Sequence, residues 1–265
     1  MIRTLGVLAT SLALAACSAG DTSPVDAAIP PDLTMCTGAD SPITYVGGSA
    51  NATIDLGFKV NLSSVMGVRA GDLLLAMIQT SGDSTAPDLT VPAGFTLVRT
   101  DATGSVQQRL YTKIATASEP GNYEWPGTDL RAAGVLLAYR HASATMPIVV
   151  GNADINGMGA ATADKVITAP SLASEGCGRL LVGFYSAWYG GTIKKGPQIT
   201  VPGGETVRQQ VSGPNGAAVN AYVLAAGDQT IAMPGDTGSR TANITVTCTN
   251  CDSEKMTTSV LLLPE

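Results

Sequence analysis

"TVPAGFTLVR" (Thr90–Arg99) returns later in the chain as "TVPGGETVRQ" (Thr200–Gln209). A proline closely followed by glycine is turn chemistry. Pro92 presets φ and Gly94 supplies the position after it, with Pro202 and Gly203 in the same roles in the second copy. Proline has no N–H to give to a ladder, so strand pairing stops there. The motif therefore marks where one strand ends and the next begins, twice.

Other stretches repeat in the same order. "AGDLLLAMI" (Ala70–Ile78) matches "CGRLLVGFY" (Cys177–Tyr185), "RLYTKIATA" (Arg109–Ala117) matches "NAYVLAAGD" (Asn220–Asp228), and "GVLLAYR" (Gly134–Arg140) matches "SVLLLPE" (Ser259–Glu265). The offset grows slowly, as loop insertions would make it. The pattern predicts a duplication of roughly 100 residues per unit, with too few copies for a solenoid.

The strands read with period two. Leu110, Thr112 and Ile114 share a face, with Arg109, Tyr111 and Lys113 opposite; Ile244, Val246 and Cys248 oppose Asn243, Thr245 and Thr247. Leu73 to Ile78 is apolar on both faces and is expected to be central and covered. No long stretch has helical periodicity. Charged residues make up 14% of the 265, aromatics 5%, and Gly counts 30, a composition of strands and turns. The expected fold is all-β, a β-sandwich or jelly roll built from two internal repeats. Few strands per repeat and a short link at "SATMP" (Ser143–Pro147) predict one compact unit. The net charge of −6 excludes nucleic acid as a partner, since phosphate binding needs a basic stripe.

The chain begins with Arg3, an apolar run from Leu5 to Ala16, and then "LAAC" (Leu14–Cys17). This is a secretory signal shape, too short to span a bilayer. Its end resembles the lipobox of bacterial lipoproteins. The resemblance implies cleavage before Cys17, lipidation of the Cys17 thiol, and, with Ser18 following, an outer-membrane location on its periplasmic or surface face. The membrane would thus be a partner through the N-terminal lipid. Residues 1–16 are read as signal, 17–41 as lipidated N-terminus and Pro/Asp/Ala/Ser-rich tether, and 42–265 as the folded domain, with repeats at about 42–142 and 147–265.

"GDLLLA", "VPAGFTLVR", "YTKIATASEPGNYEW", "AAGVLLAYR" and "GRLLVGFYSA" resemble a widespread group of secreted and phage-associated bacterial β-sandwich proteins with no assigned activity. The resemblance covers most of Ser41 to Glu265 and implies fold and export alone. Phe95 stands where a Trp is usual in that group.

Beyond Cys17, four cysteines remain: Cys36, Cys177, Cys248 and Cys251. An exported domain with an even number predicts disulfides. "CTNC" can close a local loop, leaving Cys36 for Cys177. One CxxC with two scattered partners is poor spacing for zinc, and a strand after the motif argues against redox chemistry. No metal or cofactor is expected.

His141 is the single histidine, and no Gly-x-Ser-x-Gly elbow exists to use it; a surface position at a strand end is expected. The carboxylates that a polysaccharide-active enzyme would need come from Asp55, Asp72, Asp83, Asp88, Glu119, Glu124, Asp129, Asp154, Glu175 and Glu205, most of them beside turn residues. In "NYEWPG", alternation sends Tyr123 and Trp125 inward and Glu124 outward. "DING" (Asp154–Gly157) lacks the acidic ladder of a calcium loop and reads as a turn. "SAWYGGTIKKGPQ" (Ser186–Gln198) is expected as a loop, with Trp188, Tyr189, Lys194 and Lys195 as ligand-binding candidates or Trp188 folded back on the core. The expected function is a non-enzymatic, lipid-anchored binding or adhesion module for glycan or an envelope protein. The alternatives are a structural envelope subunit and, third, a carboxylate-dependent enzyme.

Overall fold

The computed structural model describes residues 42–53, 59–81, 89–104, 106–127, 131–143, 148–156, 165–213 and 218–265. Cys17, Cys36, the signal and the tether lie outside them. Among the described residues the fold is all-β, without helices.

The first half runs β1 (Thr44–Thr53), β2 (Lys59–Ser63), β3 (Leu73–Ser81), β4 (Thr96–Thr103), β5 (Val106–Ile114), β6 (Asn122–Pro126) and β7 (Arg131–Arg140). Five of these form one antiparallel sheet in the order β1-β7-β3-β5-β4, and β2 pairs β6 in a separate ladder. Every residue of β3 is buried, as its two apolar faces require.

The second half runs β8 (Ile148–Asn156), β9 (Val166–Ala169), β10 (Ala173–Ser174), β11 (Arg179–Thr200), β12 (Thr206–Gly213), β13 (Ala218–Ile231), β14 (Gly235–Asp236), β15 (Arg240–Thr249) and β16 (Ser253–Leu262). β12, β13 and β11 lie side by side. The other edge of β11 has two successive partners. β16 pairs with it from Leu180↔Leu262 to Tyr189↔Ser253, and β15 from Thr192↔Thr249 to Thr200↔Asn243. β8 extends the sheet beyond β16, β9 pairs β15, and β10 forms a short ladder with β14.

Burial explains the stacking. One face of the first sheet (Leu75, Met77, Leu137) meets one face of the second (Val182, Phe184, Leu224, Val260) in a shared core. The opposite face of the first sheet (Leu74, Ala76, Leu136) is covered by Val60, Leu62, Tyr123 and Trp125 of β2 and β6, with Phe95 between. The opposite face of the second (Tyr185, Tyr189, Val223) is covered by Ile167, Ala242, Ile244 and Val246 of β9 and β15. Each large apolar side chain so buried contributes roughly 1.5–3 kcal/mol. Polar ties also cross the shared core: Gln108 Nε2 donates to Ser186 Oγ at 2.8 Å, and Thr258 Oγ1 donates to Gln108 Oε1 at 3.0 Å.

Two sequence expectations are corrected. The Phe95 N–H donates to the Pro92 carbonyl (3.2 Å) and the Glu205 N–H to the Pro202 carbonyl (3.1 Å), so each proline opens its turn and does not set the inner φ. The residue in the left-handed region is Gly94 (φ 85°) in one copy and Gly204 (φ 93°), not Gly203, in the other. The segment "SAWYGGTIKKGPQ" is no loop but the second half of the 22-residue β11. Its glycines mark a bulge between Gly190 and Ile193 where β11 changes partner. A Cβ on Gly191 (φ 99°) would sit 2.5 Å from the Asn250 carbonyl oxygen.

Candidate functional site

β3 and β7 are neighbours, with Leu73 opposite Tyr139. The residues entering β3 therefore lie beside those leaving β7. Arg69 to Asp72 form a tight turn: the Asp72 N–H donates to the Arg69 carbonyl (3.1 Å), and the Arg69 N–H donates back to Asp72 Oδ2 (2.7 Å). Gly71 takes φ 94° there. Across the ladder, Arg140 grips Asp72 with Nε (2.9 Å) and Nη2 (2.8 Å), and Nη2 also donates to the Gly67 carbonyl (2.9 Å). His141 follows with φ 59°, a left-handed backbone that His adopts more readily than most side chains. The bridge Ala142↔Pro264 and the bond from the Glu265 N–H to the His141 carbonyl bring Glu265 alongside. Arg69, Ala70, Gly71, Asp72, Arg140, His141 and Glu265 line an open cleft of about 230 Å³.

Burial alone would push the Asp72 carboxyl up, but Arg140 and the Arg69 N–H hold it below the usual carboxylate range. Its hydrogen bonds to Asp72 raise the Arg140 guanidinium in turn. Asp72 is thus a fixed anion that sets the plane of Arg140.

A second polar cluster is buried in the other half. Glu205 Oε1 accepts from Tyr185 Oη (2.7 Å) and Arg240 Nη1 (3.2 Å), and Arg240 Nη2 donates to Ser259 Oγ (2.8 Å). The Glu205 side chain is 0% exposed, and its Oε2, like Arg240 Nε, has no hydrogen-bond partner among the described residues. Burial raises the Glu205 carboxyl and the Tyr185 phenol above their ordinary values. Glu205 follows its turn as Phe95 follows the earlier one, where Phe95 packs against Tyr123 at 5.2 Å between ring centroids. In the first half the charged group at the edge of this layer is Glu119. Burial would raise it, but Lys113, Thr116 and Tyr123 hold it at about 2.

The structure separates the ligand-binding candidates. Tyr189 is buried in the core beneath β9 and β15, Trp188 is partly buried against the shared core on the opposite face, and Lys194 and Lys195 are exposed further along β11. Tyr189 therefore offers no face to a ligand. Tyr123 and Trp125 point inward, while Glu124 pairs with Lys59 (2.7 Å) on the surface. Glu175 is exposed; the Asp154 position lies in β8, with no turn there. Asp55, Asp83, Asp88 and Asp129 lie outside the described residues. Cys248 and Cys251 are joined across the connection from β15 to β16, and Cys177 is also disulfide-bonded; Cys36, its expected partner, lies outside the described residues. Among the described residues no three His, Cys, Asp or Glu side chains are grouped to hold a metal ion.

The cleft brings His141 and Asp72 together, which the sequence reading had set in separate roles, and adds Arg69, Arg140 and Glu265, which it had passed over. The available signal was a charged residue at each end of an otherwise apolar strand: Asp72 before "LLLAMI" and Arg140 after "VLLAY".

No family model, no curated protein and no solved structure matches this chain.

Proposed function

We propose that the protein is a non-enzymatic, lipid-anchored envelope module that binds a small polar group of the envelope through the Arg69–Arg140–His141–Glu265 cleft. The cleft carries this reading. It presents charged side chains to solvent on a rigid β3–β7 floor, as a preformed recognition site does. Two acidic groups with altered protonation, Glu119 and Glu205, are instead occupied by partners inside the fold.

The scaffold is read as a duplicated β-sandwich. Supporting this, β1-β7-β3-β5-β4 has a counterpart in β8-β16-β11-β13-β12, and β2–β6 in β9–β15. The bulge after the first turn (between Leu97 and Arg99) recurs after the second (between Val207 and Gln209). Pairing also revises one alignment. Thr96 faces Thr112 as Thr206 faces Asp228, so the counterpart of Thr112 is Asp228 and not Val223, and the "RLYTKIATA" match slides along β13.

Purified residues 18–265 are expected to sediment with isolated bacterial envelopes, and the Arg69→Ala, His141→Asn pair, Asn suiting the left-handed backbone at His141, to stay in solution with unchanged thermal stability. Equal sedimentation of both proteins would sink the cleft as the binding site. In parallel, protease treatment of intact cells assigns the face: release places the module outside, protection inside.

A further inference from the structure

The cleft holds charges of both signs, and they are not equivalent. Arg140 spends Nε and both Nη2 hydrogens on Asp72 and Gly67, which leaves the Nη1 edge without a partner among the described residues. Asp72 is consumed in the same pairing, and its lone pairs also take the Arg69 N–H. Three lining groups make no hydrogen bond or ion pair with the protein among the described residues: the Arg69 guanidinium, the His141 ring and the Glu265 carboxylate. Arg69 and Glu265 are exposed and His141 half-exposed.

A simple anion would meet Arg69 and the Nη1 edge but also Glu265. A simple cation would meet Glu265 but also two guanidinium groups. A molecule with a carboxylate and an ammonium on one short skeleton satisfies both sides. Guanidinium favours carboxylate because its planar fork matches the two oxygens. Among the described residues no Phe, Tyr or Trp lines the cleft to stack on a sugar face. Its volume of about 230 Å³ is below the roughly 300–1,000 Å³ of pockets for drug-sized ligands. That size admits an amino acid or one peptide end.

Resting on the proposed binding role, we infer that the cleft is a zwitterion site, taking a free amino acid or a cell-wall peptide whose diamino-diacid residue keeps a free amino and a free carboxyl group on one carbon. The carboxylate lies on Arg69 and Arg140 Nη1, the ammonium on Glu265, and His141 meets the substituent between them.

Titration calorimetry of residues 18–265, which keep Cys36 for Cys177, tests this with four probes: alanine, N-acetylalanine, alaninamide, and a soluble wall fragment whose diamino-diacid residue keeps a free amino and a free carboxyl group on one carbon. Alanine or the wall fragment is expected to bind at least roughly tenfold more tightly than either blocked form, a difference of about 1.4 kcal/mol. Glu265→Gln with the main-chain carboxylate at residue 265 amidated should erase the preference over N-acetylalanine, and Arg69→Ala the preference over alaninamide, both without loss of thermal stability. Tighter binding of the wall fragment than of alanine assigns the wall as source, and the reverse a free amino acid. Equal binding of free and blocked forms, or none, overturns the zwitterion assignment. If the domain still sediments with envelopes in that case, the binding role stands and only the ligand class falls.

Discussion

Glu205 follows its turn as Phe95 follows the earlier one, and Arg240 faces Ala169 in one covering ladder while Tyr123 faces Leu62 in the other. One layer is closed by an aromatic contact, the other by a buried ion pair. The two solutions fail differently. Removing Arg240 leaves the buried Glu205 carboxyl without its cation, and breaking such a pair costs about 3–5 kcal/mol. Replacing both charges by packed apolar groups is often neutral or stabilising. Arg240→Ala is therefore expected to lower the urea midpoint sharply, while the double variant Glu205→Phe, Arg240→Tyr recovers most of the loss. A double variant as unstable as Arg240→Ala would refute the equivalence of the two layers.

At the scale of the element, a turn and a strand show what was legible. β3 announced itself in Leu73–Ile78, because a run without a polar residue can only be covered on both sides. β15 did too, its buried and exposed residues alternating from Arg240 to Thr247. The second half of β11 was hidden behind Gly190 and Gly191, since a glycine pair signals a loop or a bulge equally well and only the neighbouring strand decides. The same ambiguity misplaced the left-handed residue of "VPGGE". Gly203 has open space around its Cβ position and an ordinary φ, whereas Gly204 is left-handed, with Gln229 within 3.0 Å of that position. Gly203→Ala is expected to change stability by less than about 0.5 kcal/mol, and Gly204→Ala to cost roughly 1 kcal/mol or more. Thermal unfolding of the two variants separates them. The cleft was the least legible element of all. Arg69, Arg140 and Glu265 come from three distant segments that only the β3–β7 pairing and the Ala142↔Pro264 bridge bring together.

For the whole molecule, the central core belongs to neither half. Leu75 and Met77 have Val182 and Phe184 across from them, and Tyr139 Oη donates across the boundary to Asp228 (3.1 Å), which Arg208 also holds (2.8 Å). Tyr222 Oη reaches the Thr53 carbonyl (2.7 Å). Neither half can unfold without exposing the other's inner face, so calorimetry should record one transition with equal calorimetric and van't Hoff enthalpies. Two resolved transitions would show that the halves are independent.

The rung Thr44↔Arg140 places the start of β1 against the cleft. A membrane holding the chain upstream of Thr44 and a ligand pulling on Arg140 would then apply their forces about one strand spacing apart, ~4.8 Å. Tension between them runs through the first rungs of a single ladder, Thr44↔Arg140 and then Tyr45↔Tyr139, where the ladder meets the shared core. If the anchor and the cleft act as proposed, load would open the ladder from that end like a zipper, rung by rung, and the outermost hydrogen bonds of β1 would carry it first, however stable the body behind them.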